Sequence, residues 1–127
     1  MEPQQLLFEL RDLAGDATAM TSMERLPKGE VVSVRFLPHQ SLFLRLANYD
    51  FVLVFGAPFL LVDEKGSDVK LNGRRIVIGR SSSCQVSLDR RFKSISRQHL
   101  IVELGDDGTV HFTDISSLGT YLPSSVV

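Results

Sequence analysis

Apolar residues alternate with polar ones at a period of two in many short segments of this 127-residue chain. Val32, Val34 and Phe36, for example, alternate with Ser33 and Arg35. That period predicts β-strands with one buried face, and the turn residues between the segments favour a sandwich or barrel. We therefore predict an all-β fold. The predicted strands cover residues 32–36, 42–46, 51–55, 59–62, 69–71, 75–78, 85–88, 100–104 and 110–112.

Two of the predicted turns have the composition of hairpin loops. Asn72-Gly73 lies between residues 69–71 and 75–78 and favours a two-residue hairpin, because Asn and Gly both tolerate a positive φ. The segment from Gly105 to Gly108 separates the last two predicted strands in the same way. We expect both strand pairs to be antiparallel neighbours.

The N-terminal residues follow a different period. Residues 3–14 place leucines at helical spacing, and Pro3 and Gly15 suit the two ends of a short helix. The residues that follow, up to residue 23, are small and polar, as is typical of a linker. We therefore divide the chain into an N-terminal helix with its linker (1–23) and a β-sandwich (24–127).

Length and composition argue against several classes of protein. A chain of this size with 43% hydrophobic residues suits one globular domain. No apolar stretch reaches the roughly 18 residues of a membrane-spanning helix, and the acidic Glu2 and Glu9 do not suit a secretory signal. A net charge of −1 argues against a nucleic-acid binder, and the single Cys84 excludes an internal disulfide. We expect a cytoplasmic protein that binds neither nucleic acid nor membrane.

The positive charges are concentrated in one stretch of the chain. Residues 70–99 hold 8 of the 14 Lys and Arg residues and a single acidic residue, Asp89. Serines are interleaved with these basic residues. Because hydroxyl and guanidinium groups both donate hydrogen bonds to phosphate oxygens, the stretch is either a solvated face or an anion-binding surface.

Three short motifs follow one another in the second half of the chain. They are Gly79-Arg80, Ser96-Arg97-Gln98-His99 and Ser116-Ser117-Leu118-Gly119-Thr120. On this β pattern, residues 59–122 resemble the forkhead-associated (FHA) domain, whose motifs are Gly-Arg, Ser-x-x-His and a turn like Asn-Gly-Thr. The resemblance implies an FHA-like β-sandwich that binds phosphothreonine peptides and so recruits a phosphorylated protein partner.

The resemblance implies a phosphopeptide site formed by Arg80, Ser96, Arg97, Ser117 and Leu118. A phosphate monoester carries a charge of about −1.5 to −2 and has strong acceptor oxygens, which guanidinium and hydroxyl donors satisfy. Arg80 and Ser96 match family residues that contact the phosphate, and Ser117 matches a position that donates to it. The alternative interpretations are a surface arginine, a turn-capping hydroxyl and, for Arg97, a solvated side chain.

Four further residues are implied to support the site structurally: Gly79, His99, Gly119 and Thr120. His99 matches a buried imidazole that hydrogen-bonds the loop backbone. Gly79 permits a tight exit from its strand, Gly119 supplies a positive φ, and Thr120 stabilises the turn.

Leu118 departs from the family pattern, which usually has Asn at this position. In the family that Asn hydrogen-bonds the main chain of the bound peptide, and a leucine cannot form this bond. Loss of one hydrogen bond costs about 1 kcal/mol. The alternative function is therefore a phosphate-independent assembly or dimerisation module with a degenerate phosphate site.

The order of the segments also departs from the family pattern. The family continues with several strands after its Gly-Thr turn, whereas few residues follow Thr120 here. Residues 26–46 resemble that ending, although they precede the motifs. A circular permutation, a homodimer formed by strand swapping, or origin from a longer protein would each explain this order. We expect residues 24–55 to complete the sandwich, in the same chain or from a second one.

Catalysis is the main competing class of function. Ser96, His99 and Asp114 are the residue types of a hydrolytic triad, but nothing in the sequence indicates that geometry. The three histidines of the chain have no metal-binding spacing. Cys84 is interpreted as a packed thiol rather than a nucleophile. We expect a protein that is not an enzyme and that uses no cofactor or metal.

Overall fold

The computed structural model describes residues 22–37 and 40–127. The helix predicted over residues 3–14 and nearly all of the predicted linker lie outside these ranges. The described residues form eleven β-strands and one short 3₁₀ turn at Ser124–Val126. The strands are β1 (Met23–Arg25), β2 (Val31–Arg35), β3 (Ser41–Leu46), β4 (Tyr49–Val54), β5 (Leu60–Val62), β6 (Asp68–Lys70), β7 (Arg75–Gly79), β8 (Val86–Ser87), β9 (Leu100–Leu104), β10 (Thr109–Asp114) and β11 (Thr120–Pro123).

The strands form two sheets, which confirms the all-β prediction. A six-stranded sheet has the order β1-β11-β3-β4-β5-β6, and a five-stranded sheet has the order β2-β10-β9-β7-β8. Among the described residues, only β7 and β8 pair in parallel. Alternating side chains of both sheets bury one shared apolar core, as expected for a sandwich. Its most buried members include Leu44, Leu46, Leu53, Ile76, Ile78, Leu100, Val102, Val110 and Phe112.

Strands from the first half of the chain pair with strands from the second half in both sheets. β1 lies beside β11, with Met23 opposite Pro123. β2 lies beside β10, with Val34 opposite Val110. The closing strands therefore come from the same chain, which is the arrangement that a circular permutation predicts. Residues 120–123, for which no strand was predicted, form β11 between β1 and β3.

The prediction of a hairpin at Asn72-Gly73 is wrong, because β6 and β7 do not pair with each other. β6 pairs with β5 in the six-stranded sheet, whereas β7 pairs with β9 in the five-stranded sheet, so the chain crosses between sheets at this turn. The turn signal is real, since Gly73 has a φ of 101°. Strand pairing follows burial instead, because the apolar face of β7 must reach the core while β6 is exposed throughout. The second predicted hairpin, between β9 and β10, is present.

Candidate functional site

Three loops meet at one edge of the five-stranded sheet. Antiparallel pairing places Ile78 of β7 opposite Leu100 of β9, and Leu100 opposite Asp114 of β10. The loop after β7, the loop before β9 and the loop after β10 therefore leave the sheet at the same end. We call them the first, second and third loop. These loops and the adjoining strand ends contain every residue that the sequence analysis assigned to the site.

Gly79 lies where the first and second loops come closest. A Cβ atom at this position would lie 2.8 Å from the carbonyl carbon of Arg97 and 2.9 Å from Cα of Gln98, and closer still to the Arg97 carbonyl oxygen. All three atoms belong to the backbone, which cannot move aside as a flexible side chain can. Glycine is therefore required here by the close approach of two backbone segments.

Arg80 is anchored to the second loop at two points. Its backbone N–H donates to the carbonyl oxygen of Ser96 at 3.1 Å, and its side-chain Nε donates to the carbonyl oxygen of Ile95. The side chain is half-buried, and its terminal guanidinium nitrogens have no hydrogen-bond partner among the described residues. Because Nε is fixed, these nitrogens are preorganised to donate to a ligand.

Ser96 and Ser117 bring the second and third loops together. The Ser96 Oγ accepts a hydrogen bond from the backbone N–H of Ser117 at 3.0 Å, which leaves the hydroxyl proton of Ser96 available. Ser117 is exposed, and its hydroxyl has no partner in the part of the chain that the structure describes. Two neutral donors therefore lie together beside the backbone segment that anchors Arg80.

His99 is fully buried beneath these loops. Its Nδ1 accepts a hydrogen bond from the backbone N–H of Ser96 at 3.0 Å, and its Nε2 lies 2.8 Å from the carbonyl oxygen of Gly119, to which it donates. Burial lowers the pKa of His99, against the opposing effects of the Gly119 carbonyl and the charge of Asp114. The neutral imidazole thus braces the second loop against the third. The triad considered above is not assembled, since neither ring nitrogen bonds the Ser96 hydroxyl.

Asp114 organises the third loop, a role that the sequence analysis did not assign. Its Oδ1 accepts hydrogen bonds from the backbone N–H (3.2 Å) and Oγ (2.6 Å) of Ser116 and from Oγ1 of Thr120 (2.8 Å). The Ser116 Oγ in turn accepts from the N–H of Gly119 at 2.8 Å. This buried network holds Gly119 at a φ of 96°. Asp, Ser and Thr around a glycine are typical of a turn capped by side chains, and that signal could have identified Asp114.

Arg25 is a second residue that the sequence analysis did not find. β1 brings it beside the third loop, where its Nη2 lies 3.5 Å from the carbonyl oxygen of Ser117. A Cβ atom on Gly119 would lie 2.7 Å from Nε of Arg25. No local pattern identifies this residue, because β1 is remote from the motifs in sequence.

The remaining predicted site residues lie at the rim. Leu118 is 53% exposed, and the Arg97 side chain is also exposed and has no partner among the described residues. Cys84 behaves as a packed thiol: its Sγ donates to the carbonyl oxygen of Arg97, and burial raises its pKa. Leu118 and Arg97 are therefore free to contact a bound molecule, whereas Cys84 is not suited to nucleophilic attack.

Comparison with protein families agrees with this geometry. The family model described as FHA domain matches residues 76–127, which contain all three motifs. The match, which covers less than half of the chain, confirms the resemblance to the FHA domain in that region. It begins later than residue 59, where we expected the resemblance to start, and it extends to the last residue. No curated protein and no solved structure matches the chain.

FHA domains are protein-interaction modules that bind phosphopeptides and are not enzymes. The three loops carry the motifs that the family model matches and form the candidate functional site of this chain. Within residues 22–37 and 40–127, no helix has the length and apolar character needed to span a membrane. In the same ranges, no group of three or more His, Cys, Asp or Glu residues is arranged to hold a metal ion.

Proposed function

We propose that this protein binds phosphothreonine-containing segments of a partner protein in the cytoplasm and thereby recruits that partner. The observation that carries the proposal is that three loops joined by hydrogen bonds each carry a donor without a partner among the described residues, on Arg80, Ser96 and Ser117. These groups come from three separate loops, and the buried His99 holds two of those loops together. A purely structural turn has no need of free donors on three loops at the same edge of a sheet.

The donors match the chemistry of a phosphate monoester. The terminal nitrogens of Arg80 offer charge-assisted hydrogen bonds to phosphate oxygens, and the hydroxyls of Ser96 and Ser117 offer neutral ones. Arg80 is already fixed through Nε, and Ser96 is fixed through the N–H of Ser117. Binding therefore costs less ordering entropy than it would with free side chains. Arg97 at the rim adds positive charge to the same region.

Leu118 limits the expected affinity, because it cannot form the hydrogen bond to the peptide main chain that the resemblance implies for Asn. We expect dissociation constants of about 1–100 μM, that is a binding free energy of about −5 to −8 kcal/mol. The direct test is titration of a degenerate phosphothreonine peptide library by fluorescence anisotropy. Matched libraries with phosphoserine and with unphosphorylated threonine are the comparisons.

Two variants test the assigned donors. Arg80→Ala should weaken binding by about 1.5–3 kcal/mol, the range for hydrogen bonds to charged groups. Ser117→Ala is the cleaner variant, since the Ser117 hydroxyl makes no hydrogen bond within the described fold. Arg75→Ala is the matched control, because Arg75 is an exposed arginine at the opposite end of the same strand, β7. Equal affinity of the wild type and Arg80→Ala for one phosphopeptide would refute the assignment of Arg80.

Phosphate-independent assembly is the second candidate function, and the exposed Leu118 favours it. An apolar side chain at the rim suits a protein surface better than it suits a phosphopeptide main chain. Under this alternative, unphosphorylated and phosphorylated libraries bind equally and Ser117→Ala has no effect. Light scattering of the full chain then distinguishes self-association from binding to another protein.

A further inference from the structure

The outer face of the six-stranded sheet, which points away from the shared core, carries a second apolar cluster. The register places Phe43 of β3 opposite Val52 of β4, and Val52 opposite Val62 of β5. Val54 and Leu60 form the next pair on the same face. Val52 and Val62 have no exposed surface, and the other three side chains are partly buried. This outer face is therefore shielded from water as an interior surface is.

The outer face of the five-stranded sheet has the opposite character. The register aligns one row across that face from β2 to β7, formed by Ser33, His111, Glu103 and Arg75. Polar residues of this kind are typical of a sheet face that contacts water. In β4 and β5, by contrast, residues 51–54 and 60–62 are continuously apolar. Because such runs are typical of strands that are buried on both faces, they indicate a third layer over the six-stranded sheet.

The N-terminal segment of the chain is in reach of this face. Within residues 22–37 and 40–127, the apolar members of the cluster all come from β3, β4 and β5 themselves, and the five-stranded sheet packs on the opposite face. β1, which begins at Met23, is the edge strand of the same six-stranded sheet. The strand order places β4 three strand spacings from β1, a distance of about 14 Å. Residues 15–21 can span up to about 23–25 Å, so the residues before them can lie over β4.

Residues 3–14, which lie outside the described ranges, have the pattern that suits an apolar sheet face. At about 100° per residue, a helix over this segment gathers its apolar residues into a stripe about 120° wide. The stripe holds Leu6, Leu7, Leu10, Leu13 and Ala14, and the charged residues of the segment fall outside it. Such a helix is about 18 Å long, which is enough to cross three neighbouring strands. Because an isolated helix of this length is marginally stable in water, it requires an apolar surface to pack against.

We propose that residues 3–14 dock as an amphipathic helix across β3, β4 and β5 of their own chain, with the leucine stripe on the cluster around Val52 and Val62. The protein then has three layers, in the order helix, six-stranded sheet and five-stranded sheet. The cluster shares no residue with the three loops of the candidate site. The inference is therefore independent of the phosphopeptide-binding function proposed above.

The direct test is nuclear magnetic resonance of the full chain with labelled leucine and valine methyl groups. We expect nuclear Overhauser effects between the methyl groups of Leu6 or Leu10 and those of Val52 or Val62. A mixture of labelled and unlabelled chains separates contacts within one chain from contacts between chains. Absence of these effects overturns the proposal. Effects that arise only between chains also overturn it and identify a second copy as the occupant of this face.

A pair of variants tests the same contact through stability. Leu10→Asp places a charge within the leucine stripe, whereas the matched control Gln5→Asp places the same charge on the opposite side of the helix. Leu10→Asp should lower Tm by about 5–15 °C, the range expected for losing one buried leucine in a domain of this size. Gln5→Asp should leave Tm within about 2 °C of the wild type. Equal Tm values for the two variants would overturn the proposal, and if Leu10→Asp fails to fold, the methyl contacts of the wild type still decide.

Discussion

Replacing Gly79 by alanine should disrupt the site more severely than any change of a donor side chain. The new methyl group would meet the Arg97 carbonyl carbon at 2.8 Å. An ordinary carbon–carbon contact is about 3.5–4.0 Å, so the first and second loops must separate by roughly 1 Å. Three backbone hydrogen bonds join residues 78–81 to residues 96–99: from the Arg80 N–H to the Ser96 carbonyl (3.1 Å), from the Ser81 N–H to the Arg97 carbonyl (2.9 Å) and from the His99 N–H to the Ile78 carbonyl (2.8 Å). All three lie across the gap that would open.

The cost follows from these contacts. Each hydrogen bond contributes about 1 kcal/mol to stability, and forcing a methyl group into a close-packed site costs about 1–3 kcal/mol more. We therefore expect Gly79→Ala to lower the free energy of unfolding by about 4–6 kcal/mol, which lowers Tm by more than about 10 °C. Urea denaturation followed by circular dichroism measures the change, since the chain has no tryptophan.

Gly56→Ala is the matched control for this substitution. A Cβ atom on Gly56 would make one contact at 3.6 Å, an ordinary van der Waals distance. Its stability should stay within about 0.5–1 kcal/mol of the wild type. If the two alanine variants were equally stable, the packing argument at Gly79 would be refuted. At a temperature where Gly79→Ala remains folded, its phosphopeptide affinity should also fall, because the backbone that carries Ser96 is displaced.

Three further predictions concern His99, Leu118 and the first half of the chain. The folded-state pKa of His99 lies below its ordinary value of 6.5, so the unfolded chain binds more protons than the folded chain below that pH. The free energy of unfolding should therefore fall as the pH drops below 6.5. Urea titrations of His99→Gln should show a weaker dependence of the free energy of unfolding on pH. Leu118→Asn should tighten phosphothreonine-peptide binding by about 1 kcal/mol, roughly fivefold, and unchanged anisotropy titrations would contradict that expectation. A fragment of residues 56–127 should be unfolded or aggregated, as judged by amide proton dispersion and light scattering. A well-dispersed monomeric fragment would contradict this prediction.

Most strands were predictable because burial in a sandwich imposes a period of two on the sequence. The alternation in residues 41–46, for example, places Leu42, Leu44 and Leu46 in the core. The error at Asn72-Gly73 arises because a turn signal reports local backbone geometry and not which strand becomes the hydrogen-bonding partner. β1 was missed because Met-Glu-Arg has no alternation, and β11 because it is short and near the end of the chain.

The site was predictable to the extent that its residues are close together in sequence. Arg80, Ser96 and Ser117 belong to motifs that the resemblance recognises as patterns. The sequence analysis considers Asp114 only as a member of a hydrolytic triad, although its place before Ser116, Gly119 and Thr120 is typical of a turn capped by side chains. Sequence reasoning could not identify Arg25 as a site residue, because its contact with the third loop depends on the pairing of β1 with β11.

The first half of the chain fixes the site as well as closing the sandwich. The carbonyl oxygen of Gly119, which accepts from His99, also accepts a hydrogen bond from the N–H of Ala47 at 2.9 Å. The carbonyl oxygen of Thr120 accepts from the N–H of Leu26 at 2.8 Å. Both donors precede the motifs in sequence, and both hold the end of the third loop that carries Ser117. We therefore propose that residues 24–127 act as one folding unit, because removal of the early strands would release the loop on which phosphate recognition depends.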